Sequence, residues 1–127
     1  MIIVDTDVLV TAYNRKSSRE RAEVSRLVEA GEAATTGVII AEMLRGARSD
    51  TEYDDMADEL LAMHFIDSGQ AAWLGAARIL YDLKRAGQII PLADAIISAE
   101  ALLSDSAIYG HDQHFRRVPG LRIHEPL

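Results

Sequence analysis

Met1-Ile2-Ile3-Val4-Asp5-Thr6-Asp7-Val8-Leu9 decides how the rest of the chain is read: an apolar, β-branched run halts at a carboxylate. A short run of this kind reads as a strand. Working outward, residues 33–35, 65–66, 107–109 and 121–124 are likewise short and apolar or β-leaning, and read as further strands. Helical stretches lie between them at about 19–30, 38–45, 50–63, 71–86 and 92–103. Gly31, Gly46 and Gly87 follow three of these as stop signals, and Ser49 with Glu52 has capping-box spacing. On the longest, Ala72, Ala76, Leu80 and Leu83 make one apolar face, and Lys84 and Arg85 complement the C-terminal end of the helix dipole. Strands alternating with helices predict a three-layer α/β/α fold around a central, mostly parallel sheet of about five strands. No repeat, linker or low-complexity tract interrupts the pattern, so residues 1–127 are expected to form a single domain.

Composition narrows the classes of function. With 127 residues and 49% apolar side chains the chain can fill one core. It has no cysteine, which excludes disulfides, thiolate metal sites and a cysteine nucleophile, and fits a reducing compartment. No charged leader with an apolar core is read at the start, and the longest apolar run is far shorter than a bilayer span, so a cytoplasmic protein with no membrane partner is expected.

In open sheets of this type ligands bind beyond the carboxyl ends of the strands. Asp5 and Asp112 follow two such segments, Asp94 stands near the start of a helix, and Glu42 sits inside Val38-Ile39-Ile40-Ala41-Glu42-Met43-Leu44. One acid beside a strand is ordinarily a turn former or a cap. Four of them, each embedded in apolar sequence, are costly to bury unless something pairs with them. Carboxylates brought together repel one another and raise their pKa values unless a cation compensates. With oxygen ligands the choice of ion narrows to Mg²⁺ or Mn²⁺, since calcium usually comes with a compact ligand-rich loop and zinc with imidazole or thiolate. The chemistry this favours is phosphodiester hydrolysis, in which such an ion polarises the phosphate and lowers the pKa of the attacking water.

The net charge of −7 argues against a simple nucleic-acid binder. Yet Arg15, Lys16, Arg19, Arg21 and Arg26 follow Asp5, Arg45 and Arg48 follow Glu42, and Arg116 and Arg117 follow Asp112. Taken singly, each cluster is better read as a solvated helix face. Their shared place beside the acids makes Arg15, Lys16, Arg45 and Arg116 candidate contacts to the phosphates of a nucleic acid.

Four stretches carry a family resemblance. Met1 to Leu9, Val38-Ile39-Ile40-Ala41-Glu42-Met43-Leu44-Arg45-Gly46, Leu92-Ala93-Asp94-Ala95-Ile96-Ile97-Ser98-Ala99 and Tyr109-Gly110-His111-Asp112-Gln113-His114-Phe115 resemble the four acidic motifs of PIN-domain ribonucleases. Each motif alone is weak, whereas their order and spacing over nearly the whole chain are specific. The compact size resembles the VapC toxins of toxin–antitoxin pairs. The resemblance implies a Mg²⁺- or Mn²⁺-dependent endoribonuclease with a PIN-like fold, commonly homodimeric and silenced by a cognate VapB-like antitoxin. Asp5, Glu42 and Asp94 would take the central metal and catalytic positions, with Asp112 beside them, often acting through water. The family often has Thr or Ser two residues before the fourth acid, where this chain has Gly110. That change threatens a hydrogen bond that orients an acid, and Thr6 is a candidate to replace the hydroxyl.

The remaining polar residues have weaker readings. Asp7 reaches the site only if the strand continues past Asp5, and capping the next turn is at least as good an account. His111 and His114 flank Asp112 but lack the spacing of a recognised ligand pair, so a structural role is favoured. His64 and His124, beside predicted strands, read as packed or surface residues, and Trp73 and Tyr81 as core or subunit contacts. Glu100 is expected to face solvent. The helices over residues 38–63 carry Met43, Leu44, Met56, Leu60, Leu61 and Met63, which either form an adaptable peptide-binding surface for the antitoxin or all face the sheet.

Three rivals compete with the nuclease. An aspartyl-nucleophile phosphatase would use Asp5 and Asp7, but it needs a later lysine and the only lysines, Lys16 and Lys84, have no convincing motif around them. A receiver-like signalling domain phosphorylated at Asp67 leaves Glu42 and Asp94 without a role. A PIN fold without activity, kept as a binding module, is the alternative that Gly110 sustains.

Overall fold

The computed structural model describes residues 1–126. Its elements in chain order are β1 (Ile2–Val4), α1 (Thr6–Asn14), α2 (Arg19–Glu29), β2 (Ala33–Thr36), α3 (Gly37–Arg45), α4 (Asp50–Leu61), β3 (His64–Ile66), α5 (Gly69–Arg85), α6 (Leu92–Leu103) and β4 (Ala107–Tyr109), then a short 3₁₀ helix over Gln113–Arg117. The strands form one sheet in the order β3-β2-β1-β4, every pair parallel. Ile3 therefore lies between Ala34 and Ile108, and Ile3, Ala34 and Ile108 are fully buried. Six helices flank this four-stranded sheet, as the alternation of strand and helix requires.

Two apolar clusters hold the layers together. The larger joins Ile3, Val8, Leu9, Val24, Leu27, Ile39, Met43 and Met56, and the smaller joins Ala76, Leu83, Ile90, Ile96 and Val118. Val38 and Leu121 touch both. Each fully buried Leu or Ile contributes about 1.5–3 kcal/mol, so the sheet face is the main stabilising surface. Helices α5 and α6 approach closely at a small-residue contact, where a β-carbon on Gly75 would stand 3.2 Å from that of Ala99.

The structure corrects several expectations. Residues 121–124 do not form a fifth strand: Ile123 makes a single parallel bridge to Ile108, with Ile108 N–H donating to the Arg122 carbonyl and His124 N–H to the Ile108 carbonyl. The first strand stops at Val4, and Asp5 is the residue before α1, a helix hidden in sequence by the β-branched residues Thr6, Val8, Val10 and Thr11. The strand therefore does not carry Asp7 into the cleft. Met43, Met56, Leu60 and Met63 are buried against the domain's own sheet and Leu44 is partly buried, so only Leu61 of that set is free to meet a partner. Glu100, expected in solvent, is 7% exposed. Trp73 and Tyr81 lie outside the core, more than half exposed. His64 is exposed, and His124 is partly buried with Nε2 2.7 Å from Glu23. The capping box is half made: Ser49 accepts from Glu52 N–H, while Glu52 turns to the N–H and guanidinium of Arg48.

Candidate active site: an acidic cluster at the sheet edge

All four strands run in one direction, so the segments that leave them share one edge. Asp5 follows β1, Gly37 opens α3 directly after β2, and Gly110 and Asp112 follow β4. Helix α3 carries Glu42 back over this edge, and α6 brings Asp94 in its first turn.

Two groups of side chains meet there. In the first, the Thr6 hydroxyl donates to Glu42 Oε1 at 3.2 Å, beside the buried Asp5. Burial, followed by the charges of Asp7, Asp94 and Glu42, pushes the Asp5 carboxyl from 3.8 up to about 8. In the second, His114 Nδ1 lies 2.8 Å from Asp94 Oδ2 and 2.9 Å from Asp112 Oδ1. Ligand atoms of Asp94, Asp112 and His114 all lie within 4.8 Å of one another. Burial raises the Asp94 pKa as well, against the lowering effect of His114.

Asp7 holds the site together. Its Oδ1 accepts from the N–H of Val8 and its Oδ2 from the N–H of His111 at 3.1 Å, tying the start of α1 to the loop after β4. Asp112 caps the 3₁₀ helix by accepting from His114 N–H, and this sharp turn folds the His114 ring back over the acids. Ligand spacing along the chain does not reveal His114; the turn that Asp112 caps is the signal that places it. His111 instead meets Glu20 at 3.2 Å, outside the cluster.

The candidate phosphate contacts are scattered. Arg15 ends α1 and Arg45 lies in the last turn of α3, both exposed. Lys16 lies in a cleft with Tyr13, Asp55 and Glu59, and Arg116 pairs with Glu125. Lys84 is exposed in the last turn of α5. With both Asp7 oxygens engaged by backbone, the acid–base partner a phosphatase needs is already committed. Asp67, the residue after edge strand β3, accepts from Gly69 N–H at the start of α5; its acidic neighbour is Glu100 and not Asp5, Glu42, Asp94 or Asp112, which leaves the receiver reading without its acidic pocket.

A parallel sheet with acids gathered at one edge and helices on both faces is the architecture of the PIN domain. The chain belongs to that family, whose profile matches residues 2–121. Within it, the chain is related to VapC toxins of VapBC toxin–antitoxin systems: ribonuclease VapC18 of Mycobacterium tuberculosis is 30% identical over 84 residues, 63% of this chain and 61% of that protein. The alignment thus spans less than two thirds of that relative's length. The fold matches VapBC2 from Rickettsia felis bound to a promoter DNA fragment, with TM-score 0.83 at 20% identity over 98% of both chains. It also matches DNA-bound VapBC from Salmonella typhimurium, with TM-score 0.85 at 18% identity over 97% of this chain and 96% of that one.

The donor set suits a hard divalent ion. Acidic oxygens predominate and one imidazole joins them; burial first, and then the charges of neighbouring acids, raise the Asp5 pKa, and a cation at this edge would offset both.

Proposed function

We propose that the chain is a metal-dependent endoribonuclease, the toxin of a VapBC-type pair, which hydrolyses RNA phosphodiesters. The observation that supports it most is the meeting of Asp5, Glu42, Asp94 and Asp112 at one sheet edge, where burial and then the neighbouring acids push the Asp5 carboxyl up to about 8. Asp5, Glu42 and Asp94 would hold Mg²⁺ or Mn²⁺, with Asp112 beside them through water. Bound there, the ion would polarise the phosphate and lower the pKa of the attacking water. Thr6 orients Glu42, and His114 fixes Asp94 and Asp112 relative to each other, so the acids are set before substrate arrives. Arg15, Lys16, Arg45 and Arg116 would meet RNA phosphates around the cleft.

As partners we propose a cognate VapB-like antitoxin and a second copy of the chain. Exposed apolar side chains on α5 and α6, among them Trp73, Leu74, Leu102 and Leu103, leave surface for such contacts. No helix is long and apolar enough to cross a membrane among the described residues, and a cytoplasmic location for the single domain fits this reading.

The test is direct. Purified protein is incubated with structured RNAs, with Mg²⁺, with Mn²⁺ and with chelator, beside an Asp94→Asn control. Cleavage that requires metal and vanishes in the control supports the nuclease; RNA left intact under every condition supports the binding module instead.

A further inference from the structure

Glu100 is a charged residue buried without a partner. It is more than nine-tenths buried, with 7% of its surface exposed, and its Oε2 has no hydrogen-bond partner. A carboxylate in this state is unfavourable unless a cation or donor meets it. It lines a cleft of about 400 Å³ between the start of α3, the end of β3, α5 and α6. Val38, Ile66 and Ile96 form apolar walls, while Phe65 and Trp73, 52% and 59% exposed, stand at the mouth. Asp67 adds a second acid, and its charge joins burial in raising the Glu100 pKa. No Lys, Arg or His lines the cleft among the described residues.

The cleft is separate from the catalytic cluster. Glu100 follows Asp94 by six residues on α6, which on a helix means about a third of a turn round and about 9 Å further along. Ile96, on nearly the same face as Glu100, shares its cleft.

We propose that this cleft is a docking site for an arginine side chain of a protein partner. Two acids without a basic neighbour complement a positive charge, and they repel the phosphates of a nucleic acid. A guanidinium, planar and weakly hydrated, tolerates a half-apolar cleft, donates to the Glu100 carboxylate and stacks on an indole face, which Trp73 offers at the mouth. An ammonium lacks the fork and the stacking plane. The apolar walls take the methylene stem.

Trp73 is the only tryptophan in the chain and so reports on its own site. Its fluorescence in the whole protein is titrated with a capped Leu-Arg-Leu tripeptide, with the same peptide carrying neutral citrulline for arginine, and with guanosine monophosphate. The arginine peptide is expected to give a saturable change, and citrulline or the Glu100→Gln substitution to weaken it about tenfold. Asp94→Asn should bind as wild type does, which keeps this result independent of the nuclease assay. No saturable change, equal binding by the citrulline peptide, preference for the nucleotide, or loss of binding in Asp94→Asn would each overturn the proposal. Should Glu100→Gln fail to fold, Asp67→Asn decides, since asparagine keeps the oxygen that accepts from Gly69 N–H: weaker binding supports the site and unchanged affinity overturns it.

Discussion

A β-carbon placed on Gly110 would stand 3.0 Å from the Asp5 β-carbon and 3.4 Å from its Oδ2, with Phe115 Cε2 at 3.3 Å. Glycine here is therefore fitted to a buried Asp5, and the missing hydroxyl has a counterpart in Thr6, which donates to Glu42. Gly110→Ser should restore nothing. It is expected to displace Asp5, destabilise the fold by about 1–3 kcal/mol through overpacking, and weaken Mn²⁺ binding, as thermal unfolding and metal titration would record. Asp5 itself ties stability to pH. Its folded carboxyl holds a proton to about pH 8, whereas the unfolded one releases it near 3.8, so between these values the folded state binds more protons and stability falls as pH rises. Asp5→Asn removes this dependence. In chelator the variant should match wild type below about pH 4 and exceed it increasingly as pH rises, by up to about 5 kcal/mol at pH 8; with Mg²⁺ present it should lose RNA cleavage. A stability difference that does not change with pH would show that Asp5 is not strained in the folded protein.

Elements were legible where local chemistry agreed with the fold. The bounds read for residues 92–103 and 107–109 coincide with α6 and β4, and the stop at Gly87 falls just past α5, where φ of +78° suits only glycine comfortably. Helix α1 escaped because Thr, Val and Leu after a strand look like more strand, and only the packing of Val8, Leu9 and Ala12 into the core decides otherwise. The segment over 121–124 failed in the opposite sense: its pattern is strand-like, but it meets β4 at one bridge. Side chains hold it there instead. Glu23 of α2 accepts from Arg26 and from His124 Nε2, and the His124 ring packs edge-on against Tyr109. The hydrogen bond from Arg26, then that from His124, lowers the Glu23 pKa below 4.5, so its stabilising effect is present above that value and is lost as pH falls through the folded pKa. Glu23→Gln should cost about 1–2 kcal/mol at pH 7, and in denaturant unfolding curves the penalty should shrink as pH falls through the lowered pKa of Glu23.

At the scale of the molecule, a chain of net charge −7 would have to bind a polyanion, and only the distribution of charge reconciles the two. The convergence of the acids was legible because a parallel sheet sends every strand's carboxyl end to one edge, which is a topological fact that spacing can carry. The basic side chains obey no such rule, since their positions depend on helix faces and on competing carboxylates that lie far away in sequence. Arg116 is already paired with Glu125, and Lys16 shares its cleft with Asp55 and Glu59. Arg15 and Arg45 form no ion pair among the described residues. Arg45 lies three residues beyond Glu42 on α3, close to one helical turn, and so projects near the acid's side of the helix. Of the four, Arg15 and Arg45 should therefore dominate RNA binding. Reversing both in an Asp94→Asn background, where RNA stays uncut, should weaken binding across unrelated sequences. It should also reduce the slope of log K against log salt by about 1 for each phosphate that is no longer neutralised. Reversing Arg116 and Lys16 should change that slope less. Equal slopes in all the variants would mean that these side chains are solvated faces, and that RNA reaches the acids by another path.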